Sequence, residues 1–175
     1  MKSLIKPTSS SPLLRPPASF DTDFLYRVYL STRAEELDML IDWSDEQKEI
    51  FFRGQFLAQH AAYHQNYHDA SFDVIELDGE KIGRFYVAYM ESEIRIIDIA
   101  LLPPFRNRGI GSELIRILIH EAEATGRFVS LHVTEHNPAK RLYERLGFRV
   151  ASEDYFYTLM EWHSSSNNEA GGLLS

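Results

Sequence analysis

The sequence contains no cysteine, and this absence excludes several chemistries at once. The 175 residues can form neither a disulfide bond nor a thiolate ligand for a metal. No covalent intermediate can form on a cysteine nucleophile either. If this chain transfers a group, the simplest mechanism is therefore direct transfer from donor to acceptor.

Long apolar runs and positive charge are also scarce. No run of eighteen apolar residues occurs, and Pro or Ser interrupts every short apolar stretch of the first twenty residues. We therefore expect a cytoplasmic protein without a signal peptide. Lys and Arg number 18 against 26 Asp and Glu, for a formal net charge of −8. A general nucleic-acid binder needs the opposite surplus, whereas a negative field favours the approach of cationic substrates.

Length and composition predict one compact domain, with 44% hydrophobic and 25% charged residues. Residues 1–20 are rich in Ser and Pro and lack hydrophobic periodicity, so we expect a flexible N-terminal arm there. Residues 164–175 are expected to form a disordered tail for the same reason. Residues 21–163 show no repeat and no shift in composition, which predicts a single domain between the two ends.

Hydrophobic periodicity predicts the element order β-α-α-β-β-β-α-β-α-β-β, an α/β fold class. The first half is predicted to contain a strand over residues 24–31, a helix from Thr32, a helix capped by Ser44, and a hairpin turning at Asp78-Gly79. In the second half we predict a central strand over 93–102, then a helix from Arg108 to about Thr125 that ends at Gly126. A strand over 128–135 and a short helix, capped by Asn137 and ended by Gly147, follow. Two last strands are predicted near 148–153 and 155–162.

The junction between the central strand and the next helix has the composition of an anion site. A helix N-terminus exposes unpaired N–H groups and a partial positive charge. Gly109 and Gly111 let phosphate oxygens approach these amides without an intervening Cβ, while Arg106 and Arg108 add cationic side chains. Taken alone, the residues also allow a turn tightened by glycines with both arginines in solvent.

Two common phosphate motifs each fail at one residue of this junction. The Walker motif needs Lys where Ser112 stands, and the dinucleotide fingerprint needs Gly where Leu114 stands. The junction is therefore neither of these two sites.

Two ordered motifs resemble those of the GNAT family of N-acetyltransferases. Arg106, Gly109 and Gly111 match the coenzyme A signature (Q/R)xxGx(G/A) of that family, and residues 137–148 look like its N..A..LYE..GF helix. The resemblance extends over roughly residues 24–162, and the element order agrees with it. It implies a GNAT fold, with a mixed, mostly antiparallel central sheet of about seven strands, about four helices and a splayed central strand pair.

The resemblance implies acetyl-CoA as the acyl donor, bound in the cleft between the splayed strands. Backbone groups near Ala100 and Leu101 would pair with the pantetheine arm, and the amides of the junction would hold the diphosphate. The residues implied to bind the coenzyme are Ala100, Leu101, Arg106, Arg108, Gly109, Ile110, Gly111, Ser112 and Asn137. The implied reaction is direct attack of an amine in a ternary complex, and a non-catalytic acyl-CoA sensor or scaffold is the alternative.

Two side chains are candidates for proton transfer. Tyr143 occupies the tyrosine position of the family motif, and its phenol can donate a proton to a departing thiolate, although simple packing of the ring is the alternative. Asp98 interrupts an apolar strand and could relay a proton, or it could be a structural carboxylate bonded to the backbone or to Arg95. Further candidates near the same cleft are Glu93, His132 and Glu135.

His60, His64 and His68 recur at every fourth position of a predicted helix. Such a stripe can bind a metal, but without a neighbouring carboxylate motif we interpret it as a solvated polar face and predict no metal. By the resemblance, residues 32–67 and 154–162 would bind a small-molecule or peptide amine. The negative net charge and the lack of a long apolar run predict neither nucleic acid nor a membrane as a partner. The sequence leaves open which amine is the acceptor and whether the chain forms a homodimer.

Overall fold

The structure is a computed structural model that describes residues 11–134 and 137–164. The strands are β1 Leu13–Arg15, β2 Ser71–Leu77, β3 Glu80–Tyr89, β4 Glu93–Leu101, β5 Phe128–Val133, β6 Arg149–Glu153 and β7 Thr158–Trp162. The helices are α1 Thr22–Ser31, α2 Ala34–Met39, α3 Asp45–Asn66, α4 Ile110–Thr125 and α5 Lys140–Arg145, with short 3-10 turns at Ser19–Asp21 and Pro103–Phe105.

The strands form one sheet in the order β1-β2-β3-β4-β5-β7-β6. Every neighbouring pair is antiparallel except β4 and β5, which are parallel. The predicted mixed, mostly antiparallel sheet of seven strands is thus confirmed. None of the helices in the described ranges is long and apolar enough to cross a bilayer.

The strand predicted over residues 24–31 is wrong, because this segment is helix α1. Its buried residues Phe24, Leu25, Val28 and Tyr29 recur at helical spacing and pack against α3 and the sheet. The aromatic and β-branched content suggested a strand, but burial on one helical face outweighs that propensity. With this helix, the part of the chain that the structure describes has five α-helices, against about four predicted.

Helices cover both faces of the sheet. Helices α1 and α3 pack on one face, in a cluster that includes Val74 and Ala100. Helices α4 and α5 pack on the other face, in a cluster that includes the neighbouring Ile75. Adjacent strand residues point to opposite faces, so the two clusters are separated by the sheet itself.

Several predicted helix and turn signals are confirmed. Ser44 accepts the Gln47 N–H at 3.2 Å, and Gln47 accepts the Ser44 N–H at 2.8 Å, which completes a capping box at the start of α3. The hairpin turns through Asp78 and Gly79, both with positive φ. Gly126, at φ 69°, ends α4.

Part of the expected N-terminal arm has regular structure. Residues 13–15 pair with β2 as an edge strand, and the segment is held by the carboxylate of Asp21, which is fully buried. Arg15 Nη1 lies 2.6 Å and Lys81 Nζ 2.9 Å from this carboxylate, which also accepts the Ala18 N–H. The sequence prediction missed this anchor because its partners are distant in the chain. Residues 1–10 and 165–175 lie outside the described residues.

Asp21→Asn is expected to lower the free energy of unfolding by about 2 kcal/mol, because hydrogen bonds to a charged group are lost. Hydrogen bonds from Arg15 hold the pKa of Asp21 well below its ordinary value. The stabilisation is therefore present above the unfolded-state pKa of about 3.9 and is lost as the pH falls below it. Urea unfolding at pH 7 and pH 3 measures both effects. The matched control, Asp23→Asn on the exposed side of α1, should change stability by less than about 0.5 kcal/mol; equal losses for both variants would contradict the anchor.

Candidate active site

The two central strands part halfway along β4. Their parallel pairing runs from Glu93 opposite Phe128 to Ile96 opposite Leu131, and β4 continues to Leu101 without β5 beside it. A bulge in β4, where its register with β3 shifts between Ile96 and Asp98, marks the same point. The predicted splayed strand pair is confirmed.

Backbone groups of β4 face this gap at alternate residues. The Leu102 N–H donates to the Ile82 carbonyl of β3 at 2.8 Å, so the Leu101 carbonyl in the same trans peptide points away from β3 and towards the gap. The Ala100 carbonyl points at β3, where a Cβ on Gly83 would lie 2.3 Å from it. The open edge therefore belongs to Leu101 and, two residues earlier, to Ile99, which the sequence prediction had not included; Ala100 faces β3.

Helix α4 begins beside this open edge with an uncapped N-terminus. Gly109, at φ 84°, precedes it without a side-chain cap, and the first intrahelical bond runs from the Glu113 N–H to the Gly109 carbonyl at 3.0 Å. The amides of residues 110–112 come before that bond and have no acceptor within the helix. A Cβ on Gly111 would meet only Ile99 and Leu142, at ordinary contact distances of 3.8 and 3.9 Å. Packing does not demand this glycine, and its absent side chain leaves room for an anion at the amides.

The two arginines of the junction lie in different environments. Arg106 donates from Nε to the Leu101 carbonyl at 2.8 Å, and from Nη2 to the backbone carbonyl and hydroxyl of Ser31 at 2.9 and 3.0 Å. It thereby ties the open edge of β4 to the C-terminus of α1. Arg108 is exposed, with its guanidinium 5.5 Å from the ring centroid of Phe105. Arg108 is therefore the more available cation for a phosphate group.

Tyr143 lies buried on α5 and packs against the ring of Phe148, with 6.0 Å between the centroids. Burial, and then the negative charge of Asp98, raise the pKa of Tyr143 to about 12. The phenol consequently keeps its proton throughout the neutral range. Tyr143 and Asp98, the two predicted proton-transfer residues, thus lie close enough to interact electrostatically.

Asp98 forms an ion pair with Arg84, and the distance from Nη2 to Oδ2 is 2.5 Å. The same nitrogen also lies 3.3 Å from Gln59 Oε1 of α3, and Arg84 is almost completely buried. For a purely structural Asp98, the sequence predicted a bond to the backbone or to Arg95. Arg95 instead pairs with Glu93 at 2.8 Å. The alternation of β3 around Arg84 could have indicated this inward-facing arginine.

The further candidates are not gathered at the gap. Glu93 begins β4 at its paired end, where it accepts hydrogen bonds from Arg95 and the Ser130 hydroxyl, so its expected position in the cleft is wrong. His132 is exposed on β5, with its ring 6.5 Å from that of Tyr157. Glu135 lies outside the described residues.

Asn137 has a local structural bond before α5. Its side-chain oxygen accepts the Ala139 N–H at 2.9 Å, within a turn that precedes the helix. The helix itself begins at Lys140, so Asn137 caps this turn rather than the helix, and Pro138 stands before the first helical position. Gly147, at φ 97°, follows the helix as predicted.

The histidine stripe is shorter than predicted. His60 and His64 lie on α3 with 4.4 Å between their ring centroids, whereas His68 follows the end of the helix at Asn66. Burial, and then the charges of His64 and Arg84, lower the pKa of His60. In residues 11–134 and 137–164, no group of three His, Asp or Glu side chains is arranged to hold a metal ion.

A strand gap flanked by an uncapped helix N-terminus is typical of a fold that binds a phosphate-bearing coenzyme. Residues 37–148 match the model of the acetyltransferase (GNAT) family. The chain belongs to this family.

Related proteins and structures agree with this membership. Mycothiol acetyltransferase from Corynebacterium glutamicum is 37% identical over 121 residues, which cover 66% of this chain and 40% of that protein. The chain thus spans less than half the length of this curated relative. PaiA N-acetyltransferase from Thermoplasma acidophilum, in complex with coenzyme A, is 20% identical with a TM-score of 0.65, covering 89% of this chain and 100% of that one. A GNAT acetyltransferase from Elizabethkingia anophelis with acetyl-CoA bound is 17% identical with a TM-score of 0.55, covering 89% and 99%. These two structures share the fold.

Proposed function

We propose that the chain is an acetyl-CoA-dependent N-acetyltransferase that transfers the acetyl group directly to a small-molecule or peptide amine. One observation carries the proposal: the uncapped start of α4 lies against Ile99 of β4, beyond the point where β4 and β5 part. The buried phenol of Tyr143, which interacts electrostatically with Asp98, adds a proton donor. In this proposal the chain is a single domain that includes β1 and extends to residue 163, in a cytoplasmic protein, and it binds neither nucleic acid nor a membrane.

The donor would be held mainly by backbone groups. The amides of residues 110–112 receive the diphosphate, and Arg108 adds a charge-assisted contact. Ile99 and Leu101 offer strand-like hydrogen bonds to the pantetheine arm, while Arg106 keeps the Leu101 carbonyl and α1 together. Asn137, in the turn before α5, is the remaining contact implied by the family motif.

At the acetyl carbon one bond forms and one breaks, while a proton leaves the amine and a proton reaches the thiolate. The neutral amine attacks the thioester carbon, and the carbon–sulfur bond breaks as the amide forms. Tyr143 donates its proton to the departing thiolate, and the amine loses a proton to Asp98 or to water. Asp98 is already paired with Arg84. To act as the base, its carboxylate must therefore accept the proton of the amine while it remains next to Arg84.

A sensor or scaffold that binds acyl-CoA without turnover is the second candidate, because it would use the same donor site. Titration with acetyl-CoA, followed by thiol release across a panel of peptides, polyamines and aminoglycosides, separates the two. The enzyme releases thiol with at least one amine. Tight binding with no release on any acceptor would favour the sensor.

Arg108→Ala is expected to weaken acetyl-CoA binding by about 10- to 150-fold, which corresponds to the loss of one charge-assisted phosphate contact. Isothermal titration calorimetry at constant salt measures the dissociation constant. Arg116→Ala, which removes an exposed arginine later on the same helix, is the matched control and should bind normally. An unchanged constant for Arg108→Ala would remove this residue from the donor site.

A further inference from the structure

The last peptide of β4, between Leu101 and Leu102, is held at both ends although the pairing of β4 with β5 has already stopped. On one side, the Leu102 N–H donates to the Ile82 carbonyl of β3 at 2.8 Å. On the other side, the Leu101 carbonyl accepts the Nε–H of Arg106 at 2.8 Å. Pro103 follows and confines Leu102 to an extended conformation, with φ −57° and ψ 145°. This peptide plane therefore cannot rotate without breaking one of the two bonds.

The guanidinium of Arg106 also reaches the C-terminus of α1. Its Nη2 donates to the backbone carbonyl of Ser31 at 2.9 Å and to the hydroxyl of Ser31 at 3.0 Å. The last carbonyls of a helix have no partner within the helix and carry a partial negative charge, so a cation there is stabilising. The Ser31 hydroxyl donates in turn to the Val28 carbonyl at 2.7 Å, which leaves its oxygen as the acceptor for Arg106. One rigid group thus connects the open edge of β4 with α1.

These contacts make Arg106 a poor phosphate ligand. To turn towards an anion at the start of α4, its side chain would give up three hydrogen bonds of 2.8 to 3.0 Å. Arg108 would give up only a stacking contact with Phe105. A backbone carbonyl oxygen has two lone pairs, so the Leu101 carbonyl can accept an N–H of the pantetheine arm while Arg106 stays bonded to it.

We propose that Arg106 is a positioning residue for the donor: it fixes the Leu101 carbonyl for an N–H of the pantetheine arm, couples this carbonyl to the C-terminus of α1, and leaves the diphosphate to Arg108 and the amides of α4. This inference rests on the proposed donor site. It gives Arg106 a role other than the phosphate contact that the sequence predicted. Because coupling between two sites is reciprocal, an arm bound at Leu101 also holds the end of α1 in place.

The first test separates the two halves of coenzyme A, using the full chain and isothermal titration calorimetry. The compound 3′-phospho-ADP has the nucleotide and diphosphate of coenzyme A but no pantetheine arm. Arg106→Ala is expected to weaken the binding of coenzyme A by about 10-fold, the worth of one hydrogen bond to the arm, and to leave the dissociation constant of 3′-phospho-ADP unchanged. Arg108→Ala is the matched comparison and should weaken the binding of both compounds by the same factor.

Each other result of this titration has a definite meaning. If Arg106→Ala weakens both compounds equally, Arg106 contacts the diphosphate and the inference is overturned. Unchanged binding of coenzyme A in this variant would overturn it as well, and both results leave the proposed acetyl transfer intact. If the unmodified chain binds neither compound, the donor site is wrong and the proposed function fails with it. Normal binding of 3′-phospho-ADP also shows that the variant is folded.

Arg106→Lys distinguishes a connecting group from a point charge without removing the cation. An ammonium can replace a guanidinium at a phosphate, but it lacks the planar fork that spans Leu101 and Ser31. We therefore expect Arg106→Lys to bind coenzyme A about 10-fold more weakly than the unmodified chain, like Arg106→Ala. Binding equal to that of the unmodified chain would overturn the inference.

Hydrogen exchange at the end of α1 tests the coupling. The N–H groups of Thr32 and Arg33 donate to the carbonyls of Tyr29 and Leu30 at 3.0 and 2.9 Å and close this helix. Saturating coenzyme A should slow their exchange by about 10-fold in the unmodified chain, because reciprocity requires the same factor as for binding. In Arg106→Lys at equal saturation, most of this protection should be absent. Equal protection in both chains would overturn the coupling.

Discussion

Tyr143→Phe is expected to lower kcat by about 100-fold or more, the usual contribution of a positioned general acid. The ring and its packing against Phe148 are kept, so the dissociation constant for acetyl-CoA should remain unchanged. The reason is the buried phenol, which keeps its proton near neutral pH and is the group proposed to protonate the leaving thiolate. Steady-state thiol release with the best acceptor of the panel measures the effect.

Tyr89→Phe is the matched control for this variant. It makes the same chemical change on β3, where Tyr89 is partly exposed, away from the gap between β4 and β5. Its kcat should equal that of the unmodified chain. Equal rates for Tyr143→Phe and the unmodified chain would remove Tyr143 from the mechanism and leave it a packing residue.

Arg84→Met is expected to lower the free energy of unfolding by about 3 kcal/mol, because it leaves the carboxylate of Asp98 without its partner in a largely buried setting. Methionine keeps the length and apolar contacts of the arginine stem, so the loss reports mainly the charge. Urea unfolding, analysed for both midpoint and slope, measures it.

The single variant Asp98→Leu and the double variant Arg84→Met with Asp98→Leu complete a thermodynamic cycle. If the two charges stabilise the fold through each other, the double variant should recover most of the loss caused by Arg84→Met alone. Additive losses would contradict a direct coupling. An Arg84→Met variant within about 0.5 kcal/mol of the unmodified chain would contradict the buried ion pair itself.

The sequence predicts well those features that depend on neighbouring residues. Ser44 and Gln47 form a capping box within four residues, and Asp78-Gly79 supplies the two positive φ angles that its hairpin needs. The turn before α4 likewise has its glycines and arginines in one short segment. Such local patterns predict the elements and the glycine-containing turn before α4 because their geometry is fixed within a few residues.

Features that depend on distant partners were missed. Arg84 and Asp98 meet only because β3 and β4 pair in a register that puts Arg84 opposite Ala100 and Tyr86 opposite Asp98. The engagement of Arg106 with Ser31 requires that residues 24–31 form a helix ending beside the turn, and the sequence predicted a strand there. No local pattern encodes such contacts, since they arise from packing between elements.

The most direct test of the donor site compares coenzyme A with pantetheine, which has the same thiol arm but no diphosphate. If the start of α4 binds the diphosphate, coenzyme A should bind about 100-fold more tightly or better, the worth of two charge-assisted contacts. Isothermal titration calorimetry of both compounds at the same salt concentration gives the ratio. Equal dissociation constants would contradict a diphosphate site at this helix.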